Sequence, residues 1–270
     1  MTPRRYRVFV TVLLALLLAG YTAGDAAATA GHATGSPSTP PASPTQSASP
    51  STTPSTGSAD PPITAGPSTF VHGGPFGTVN STGTAQVALT FDDGPGGNTA
   101  QVLDLLKQYG IHATFCIIGR MVSAQNAYLI RRIVAEGHTL CNHTWTHDLN
   151  LKSRTEAQIR SEMQRTNDAI HAIVPGAPIR YFRNPGGNFS PLVVSVAASM
   201  GMQSIYWAVD PRDWSRPGTQ VIMNVVLSRT HAGSIVLMHD GGGDRSQTVQ
   251  ALQTILPNLK SRFTLIPLPT

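Results

Sequence analysis

Apolar residues recur along the last two-thirds of the chain in two alternating rhythms. Short, nearly unbroken runs such as Val87-Ala88-Leu89-Thr90-Phe91 read as buried strands, and longer stretches with apolar residues three and four apart read as amphipathic helices. The runs predict strands over 87–91, 113–118, 139–142, around 181–182, 203–208, 234–238 and 263–266. Between them the pattern predicts helices over 100–109, 123–136, 154–173, 191–200, 219–230 and 248–260, the longest ended by Pro175-Gly176. Seven strands alternating with helices indicate an α/β fold, a parallel sheet covered by helices. The pattern alone leaves closure into a barrel open.

The front of the chain lacks these rhythms. Arg4, Arg5 and Arg7 precede a short apolar stretch from Val8 to Ala19, followed by small residues at Ala26-Ala27-Ala28 and Ala28-Thr29-Ala30. This order predicts a secretory signal peptide over 1–30, and a secreted or wall-associated protein. The apolar stretch is shorter than the roughly 20 residues of a membrane span, so no stable membrane insertion is expected after cleavage, an uncleaved anchor being the other reading. Residues 31–78 are rich in Pro, Ser, Thr, Ala and Gly. Such a composition cannot bury enough surface to offset chain entropy, which predicts a disordered linker that becomes a Gly-rich entry arm near 71–78. A single globular domain is expected over 79–270, as a monomer.

The net charge of +5 falls to +3 if Arg4, Arg5, Arg7 and Asp25 leave with the leader. That balance, without a basic run interleaved with aromatics, gives no support to nucleic-acid binding. Export permits a disulfide between Cys116 and Cys141, on neighbouring predicted strands; two buried thiols remain the alternative.

Candidate chemistry collects where the predicted strands end. Asp92 and Asp93 follow the first strand, His143 and His147 the third, Arg183 the fourth, Asp210 and Asp213 the fifth, and His239 and Asp240 the sixth. In parallel α/β folds this rim carries the chemistry. Two adjacent carboxylates persist together with a cation, a shared proton or full solvation, so Asp92-Asp93 reads either as part of a metal site or as an exposed acidic turn. His143 and His147, four residues apart, would face one ion if they lie on one helical turn, or else form a surface pair. Taken singly, Arg183 also fits a surface salt bridge, Trp214 a core aromatic and His239 a core histidine. Asp210 fits a strand-end cap or a partner behind the site, and Asp240 has no assigned role. His32, His72, His112, His138, His171 and His231 read as structural or solvent-facing.

Thr90-Phe-Asp-Asp93, His143-Thr-Trp-Thr-His147, Arg183-Asn-Pro185, Asp213-Trp214 and Leu237-Met-His239 resemble, in order and spacing, the five motifs of the polysaccharide deacetylases, the NodB-homology group of carbohydrate esterase family 4. The resemblance runs from about Ala85 onward. It implies a distorted (β/α) barrel of about seven parallel strands with outer helices, and metal-dependent removal of acetyl groups from an N-acetylglucosamine polymer of the peptidoglycan or chitin type. Acetylxylan esterase, or a non-catalytic wall-binding module, are the competing readings. Carried over, the resemblance makes Asp93, His143 and His147 ligands of one divalent ion, zinc first, with cobalt or nickel possible. It makes Asp92 the general base, kept ionised by Arg183, and His239 the general acid, held by Asp213. Gly186 would offer its amide to the oxyanion, and Trp214 and Leu237 would wall the acetyl pocket. The third motif departs from the family's pattern, since Gly186-Gly187 follows Pro185 where an aromatic is usual; Phe189 or Trp145 would have to replace that wall.

Overall fold

The computed structural model describes residues 70–270. The expected signal peptide and most of the expected linker lie outside the described residues. Strand β1 (Val87–Gly94) is an interior strand of the sheet, flanked by β2 (Thr114–Ile117) and β6 (Ile235–His239). The remaining strands are β3 (Thr139–Asn142), β4 (Ile179–Phe182), β5 (Gln203–Ser204) and β7 (Leu265–Ile266). All pair in parallel in the order β5-β4-β3-β2-β1-β6, with β7 added beside β1. Helices α1 (Thr99–Tyr109), α2 (Ala127–Ala135), α3 (Glu156–Ile173), α4 (Pro191–Ser199), α5 (Thr219–Arg229) and α6 (Ser246–Arg262) connect them. No helix among the described residues is long and apolar enough to cross a membrane.

The unbroken apolar run of β1 is explained by burial on both faces. Val87, Leu89 and Phe91 join the main core with Leu103 and Leu106 of α1, Ile130 and Ile133 of α2, and Leu252, Ile255 and Leu256 of α6. The alternate residue Ala88 belongs to a second cluster with Cys116, Cys141, Tyr181, Ile205 and Ile235. This is the period-two alternation of a strand between a helical layer and the interior of a curled sheet. Cys116 and Cys141 are register partners on β2 and β3 and form a disulfide, Cα–Cα 4.1 Å, which decides between the two cysteine readings.

The sheet is a distorted, partial barrel. The fifth strand, expected over 203–208, is confined to Gln203–Ser204 because the chain then turns towards β6, where Val209 bridges Val236. The arm ahead of β1 occupies the gap so created: Val79, fully buried, pairs with Ile205, and Ser81 with Ser234. Its earlier residues pack as well, Phe70 edge-on to Tyr181 at 6.1 Å, while Thr78 is buried. Helix α2 starts at Ala127 rather than near 123, since Asn126 Oδ1 accepts from the Ser123 amide and holds that stretch as a turn.

Candidate active site

The strand rim carries a cavity of about 820 Å³, bordered among others by Asp92, Asp93, His143, His147, Gly186, Trp214, Leu237 and His239. Adjacent residues of a regular strand point to opposite faces. Strand β1, however, runs on through Gly94 with a bulge: Asp92 pairs with Cys116 and Gly94 with Ile117, leaving Asp93 between them at φ 73°. The extra residue turns both carboxylates to the same cavity.

The two histidines do not converge on a helical turn. Residues 143–147 form a bent loop with left-handed backbone at Thr144 (φ 66°) and His147 (φ 60°). The loop is shaped by side chains. Asn142 Oδ1 accepts from the Thr144 amide at 2.9 Å, Thr144 Oγ1 from the His147 amide at 3.0 Å, and Glu162 Oε2 of α3 from the Thr146 amide at 2.7 Å. Asn142 is in turn anchored to α3, its Nδ2 donating to the Met163 carbonyl and Asn167 Oδ1. Asn142 and Glu162 are supports that no motif signalled.

His143 Nδ1 lies 2.7 Å from the Arg183 carbonyl, an acceptor only, so Nδ1 carries the proton and Nε2 its lone pair. Nε2 of His143 and of His147 lie 3.4 and 3.2 Å from Asp93 Oδ1, which has no well-formed hydrogen bond although buried. One donor atom each from Asp93, His143 and His147 falls within 4.8 Å of the others. One carboxylate and two imidazoles at this spacing fit a divalent ion of zinc type, with positions left open for other ligands. Burial alone would raise the pKa of Asp93, but His143 and His147 pull it far below the usual carboxylate range. Gly242, at φ 73°, packs against that carboxylate so closely that a Cβ would collide with Oδ2.

Arg183 is fully buried and donates Nη1 to Asp92 Oδ1 at 2.7 Å and to Thr90 Oγ1 at 2.9 Å, and Nη2 to the Tyr206 carbonyl at 3.0 Å. His239, register partner of Asp92 on β6, places Nδ1 2.7 Å from Asp213 Oδ1. Burial lowers the pKa of His239, but the bond and charge of Asp213, helped by Asp92 and Asp93, outweigh it and push it up to about 9. Leu237 is buried and Trp214 stands half-exposed at the rim, with the Arg212 guanidinium 5.4 Å from its ring centre. Asp210 also borders the cavity; burial raises its pKa, and its Oδ1 accepts from the Arg212 amide. Asp240 does not border the cavity. It is buried against Gly94, takes the Thr99 hydroxyl as donor, and is pushed up to about 7, first by burial.

The aromatic wall comes from residues the motifs did not mark. Phe189 is buried in a core cluster and Trp145 stacks under Arg165 at 4.3 Å; neither borders the cavity. Tyr206 and Trp207 do, with rings stacked at 4.0 Å and 12°. A Cβ at Gly187, which has φ 67°, would lie 2.6 Å from Trp207 and 2.8 Å from Tyr206, so this glycine admits the pair. The fifth strand expected over 203–208 would have enclosed both residues; because it ends at Ser204, they stand at the cavity instead.

A family model described as polysaccharide deacetylase matches residues 79–205. The chain is 43% identical over 200 residues to a chitooligosaccharide deacetylase of Bradyrhizobium sp. (strain ANU 289), an alignment covering 69% of this chain and 90% of that one. It is 42% identical over 179 residues to a peptidoglycan-N-acetylglucosamine deacetylase of Bacillus cereus, covering 65% and 82%. Among solved structures it is similar to a CE4 family pseudoenzyme from Bacillus anthracis, with TM-score 0.62 and 34% identity over 68% of this chain and 64% of that one.

Proposed function

The chain belongs to the polysaccharide deacetylase family, and from that premise we propose that it is a secreted, metal-dependent deacetylase removing N-acetyl groups from N-acetylglucosamine polymers, peptidoglycan or chitin-type chains. One observation carries this reading: Asp92, bonded to Arg183, and His239, bonded to Asp213, are register partners beside Asp93, His143 and His147. A binding module has no use for a buried base and a buried acid next to a ligand triad, so the arrangement favours turnover even though the fold also serves a pseudoenzyme.

In this reading Asp93, His143 and His147 hold one divalent ion, zinc first and cobalt or nickel next. When bound, the ion supplies Lewis-acid polarisation of the acetyl carbonyl and lowers the pKa of water. Asp92 takes the proton of the attacking water, and Arg183 fixes the carboxylate in place by its charge-assisted bond. The Gly186 amide donates to the carbonyl oxygen as negative charge develops there. His239, protonated by virtue of Asp213, gives its proton to the departing amine, so that amide and water become amine and acetate. Leu237 and Trp214 enclose the acetyl methyl.

The test is acetate release by the full chain, stripped of metal and reloaded with zinc, cobalt or nickel, from chitooligosaccharides, peptidoglycan and acetylated xylan in parallel. Metal-dependent release from the amino-sugar polymers supports the reading. Release from xylan alone replaces it with an O-deacetylase, and no release from any polymer with metal bound replaces it with a binding role.

A further inference from the structure

Asp93 presents Oδ1 to His143 and His147 from a left-handed backbone position, φ 73°, which is unfavourable for a residue with a side chain and persists where neighbours fix it. Those neighbours are Gly241 and Gly242, the first two of three consecutive glycines after β6. A Cβ on Gly241 would collide with the Asp93 carbonyl oxygen, and one on Gly242 with Oδ2, so the loop lies against both the main chain and the carboxylate of Asp93. Only glycine fits contacts this close, yet successive glycines give a loop the greatest backbone freedom. The amides of Asp240 and Gly241 anchor its start to the Asp92 carbonyl at 3.1 and 3.3 Å.

Beyond that point the loop is held by Arg245. Nε donates to the Gly241 carbonyl at 2.8 Å, Nη2 to the Gly242 carbonyl at 2.9 Å, and Nη1 to the carbonyls of Asp244 and Trp214 at 3.1 and 3.2 Å. All four bonds of this buried guanidinium go to main-chain oxygens, and a planar fork reaches them together as the single nitrogen of a lysine does not. The bond to Trp214 ties in the residue next to Asp213, which holds His239. The Arg245 amide donates to Asn98 Oδ1 at 2.8 Å, between β1 and α1, so the clamp is anchored beside the strand that carries Asp93.

We propose that Arg245 is a positioning residue for the metal site: by clamping Gly241 and Gly242 onto Asp93, it keeps Oδ1 directed at the two imidazoles and so preorganises the three ligands. This rests on the metal-site reading above. Removal of a group that orients a ligand weakens metal binding without touching any donor atom.

The experiment measures the zinc Kd of the full chain by competition with a chromophoric chelator, for wild type, Arg245→Ala and Arg245→Lys, with urea midpoints on the same samples. Arg245→Ala weakens zinc binding by about 10–100-fold. Because Arg245 borders the cavity, its deletion opens a space that solutes can enter, and added methylguanidinium brings Kd back to within about threefold of wild type where methylammonium does not. A loss of folding alone would not be reversed by a guanidinium salt. Should Arg245→Ala fail to fold, Arg245→Lys decides: it keeps the charge and most of the volume, and still binds zinc at least about fivefold more weakly. A Kd within about twofold of wild type in folded Arg245→Ala or in Arg245→Lys overturns the proposal. So does a weakened Kd in folded Arg245→Ala that methylguanidinium leaves unchanged. A wild-type chain that binds no zinc fails the metal-site reading and the proposal with it, whereas one that binds zinc but releases no acetate fails the deacetylase reading alone.

Discussion

Asp213 grips His239 at two points: Oδ1 lies 2.7 Å from the ring Nδ1, and Oδ2 accepts from the His239 amide at 2.9 Å while also taking the Thr248 hydroxyl at 2.8 Å. The carboxylate therefore fixes both the ring and the strand end that bears it. Nε2 is left outside this grip.

That relationship sets a pH dependence. His239 is raised from the ordinary 6.5 to about 9, burial opposing and Asp213 leading the groups that raise it. A general acid acts while protonated, so activity holds below this pKa and declines as pH rises through it. The same group stabilises the fold fully below about 6.5, and that contribution is lost as pH rises through about 9. Asp213→Asn removes the charge, so the imidazole pKa, followed by NMR in the metal-free protein, falls by more than about one unit and the alkaline limb of kcat/KM moves down with it. An unmoved titration would refute the pairing.

Base and ligand separate by metal content. Asp92→Asn keeps Asp93, His143 and His147 intact, so bound metal persists while turnover drops by about 10²–10⁴-fold. His143→Ala removes one donor of three, and both metal and activity are lost. Metal analysis beside acetate release distinguishes the two. Full metal content in His143→Ala would exclude it from the ligand set.

The disulfide ties β2 to β3 two residues before His143, across a sequence separation of 25. Closing a loop of that size restricts the unfolded chain, and removing it with Cys116→Ser and Cys141→Ser is expected to cost about 3 kcal/mol. Urea unfolding with and without the pair measures this. Because β2 and β3 also pair through backbone bonds, the double variant is expected to fold at room temperature and to retain metal.

Much of the fold was legible because both rhythms are strong where burial is deep. β1, β3 and α3 lie within a few residues of their expected bounds, and six of the nine polar residues expected at strand ends, Asp92, Asp93, His143, His147, Asp210 and His239, border one cavity. What could not be read depends on tertiary partners. The bulge that turns Asp93 beside Asp92 exists only in the register of β1 against β2. The loop from His143 to His147 takes its shape from Asn142 and from Glu162, a helix away, so a spacing of four suggested a turn of helix that does not form. The aromatic wall moved to Tyr206 and Trp207 for a similar reason: a glycine gap is filled from a different strand end, which no local pattern reports.

His138 supplies a stability test on the far side of the sheet from this chemistry. Its Nδ1 accepts the Ala113 amide at 3.1 Å, joining the chain just before β2 to the chain just before β3, and so must be unprotonated. Nε2 is buried without a partner. Burial first, then the nearby His112 and Arg132, press the pKa down to about 4 against the opposing pull of Glu136. The unfolded chain takes up the proton near 6.5 and the folded protein near 4, so the contribution of neutral His138 is complete above 6.5 and lost as pH falls towards 4. A gap of that size is worth about 3 kcal/mol. His138→Asn retains an acceptor for the Ala113 amide and does not titrate. Urea midpoints for the two proteins are therefore expected to diverge with acidification, the wild type losing about 3 kcal/mol more than the variant between pH 7 and pH 4. Parallel loss in both would mean that the carboxylates, and not this imidazole, govern acid unfolding.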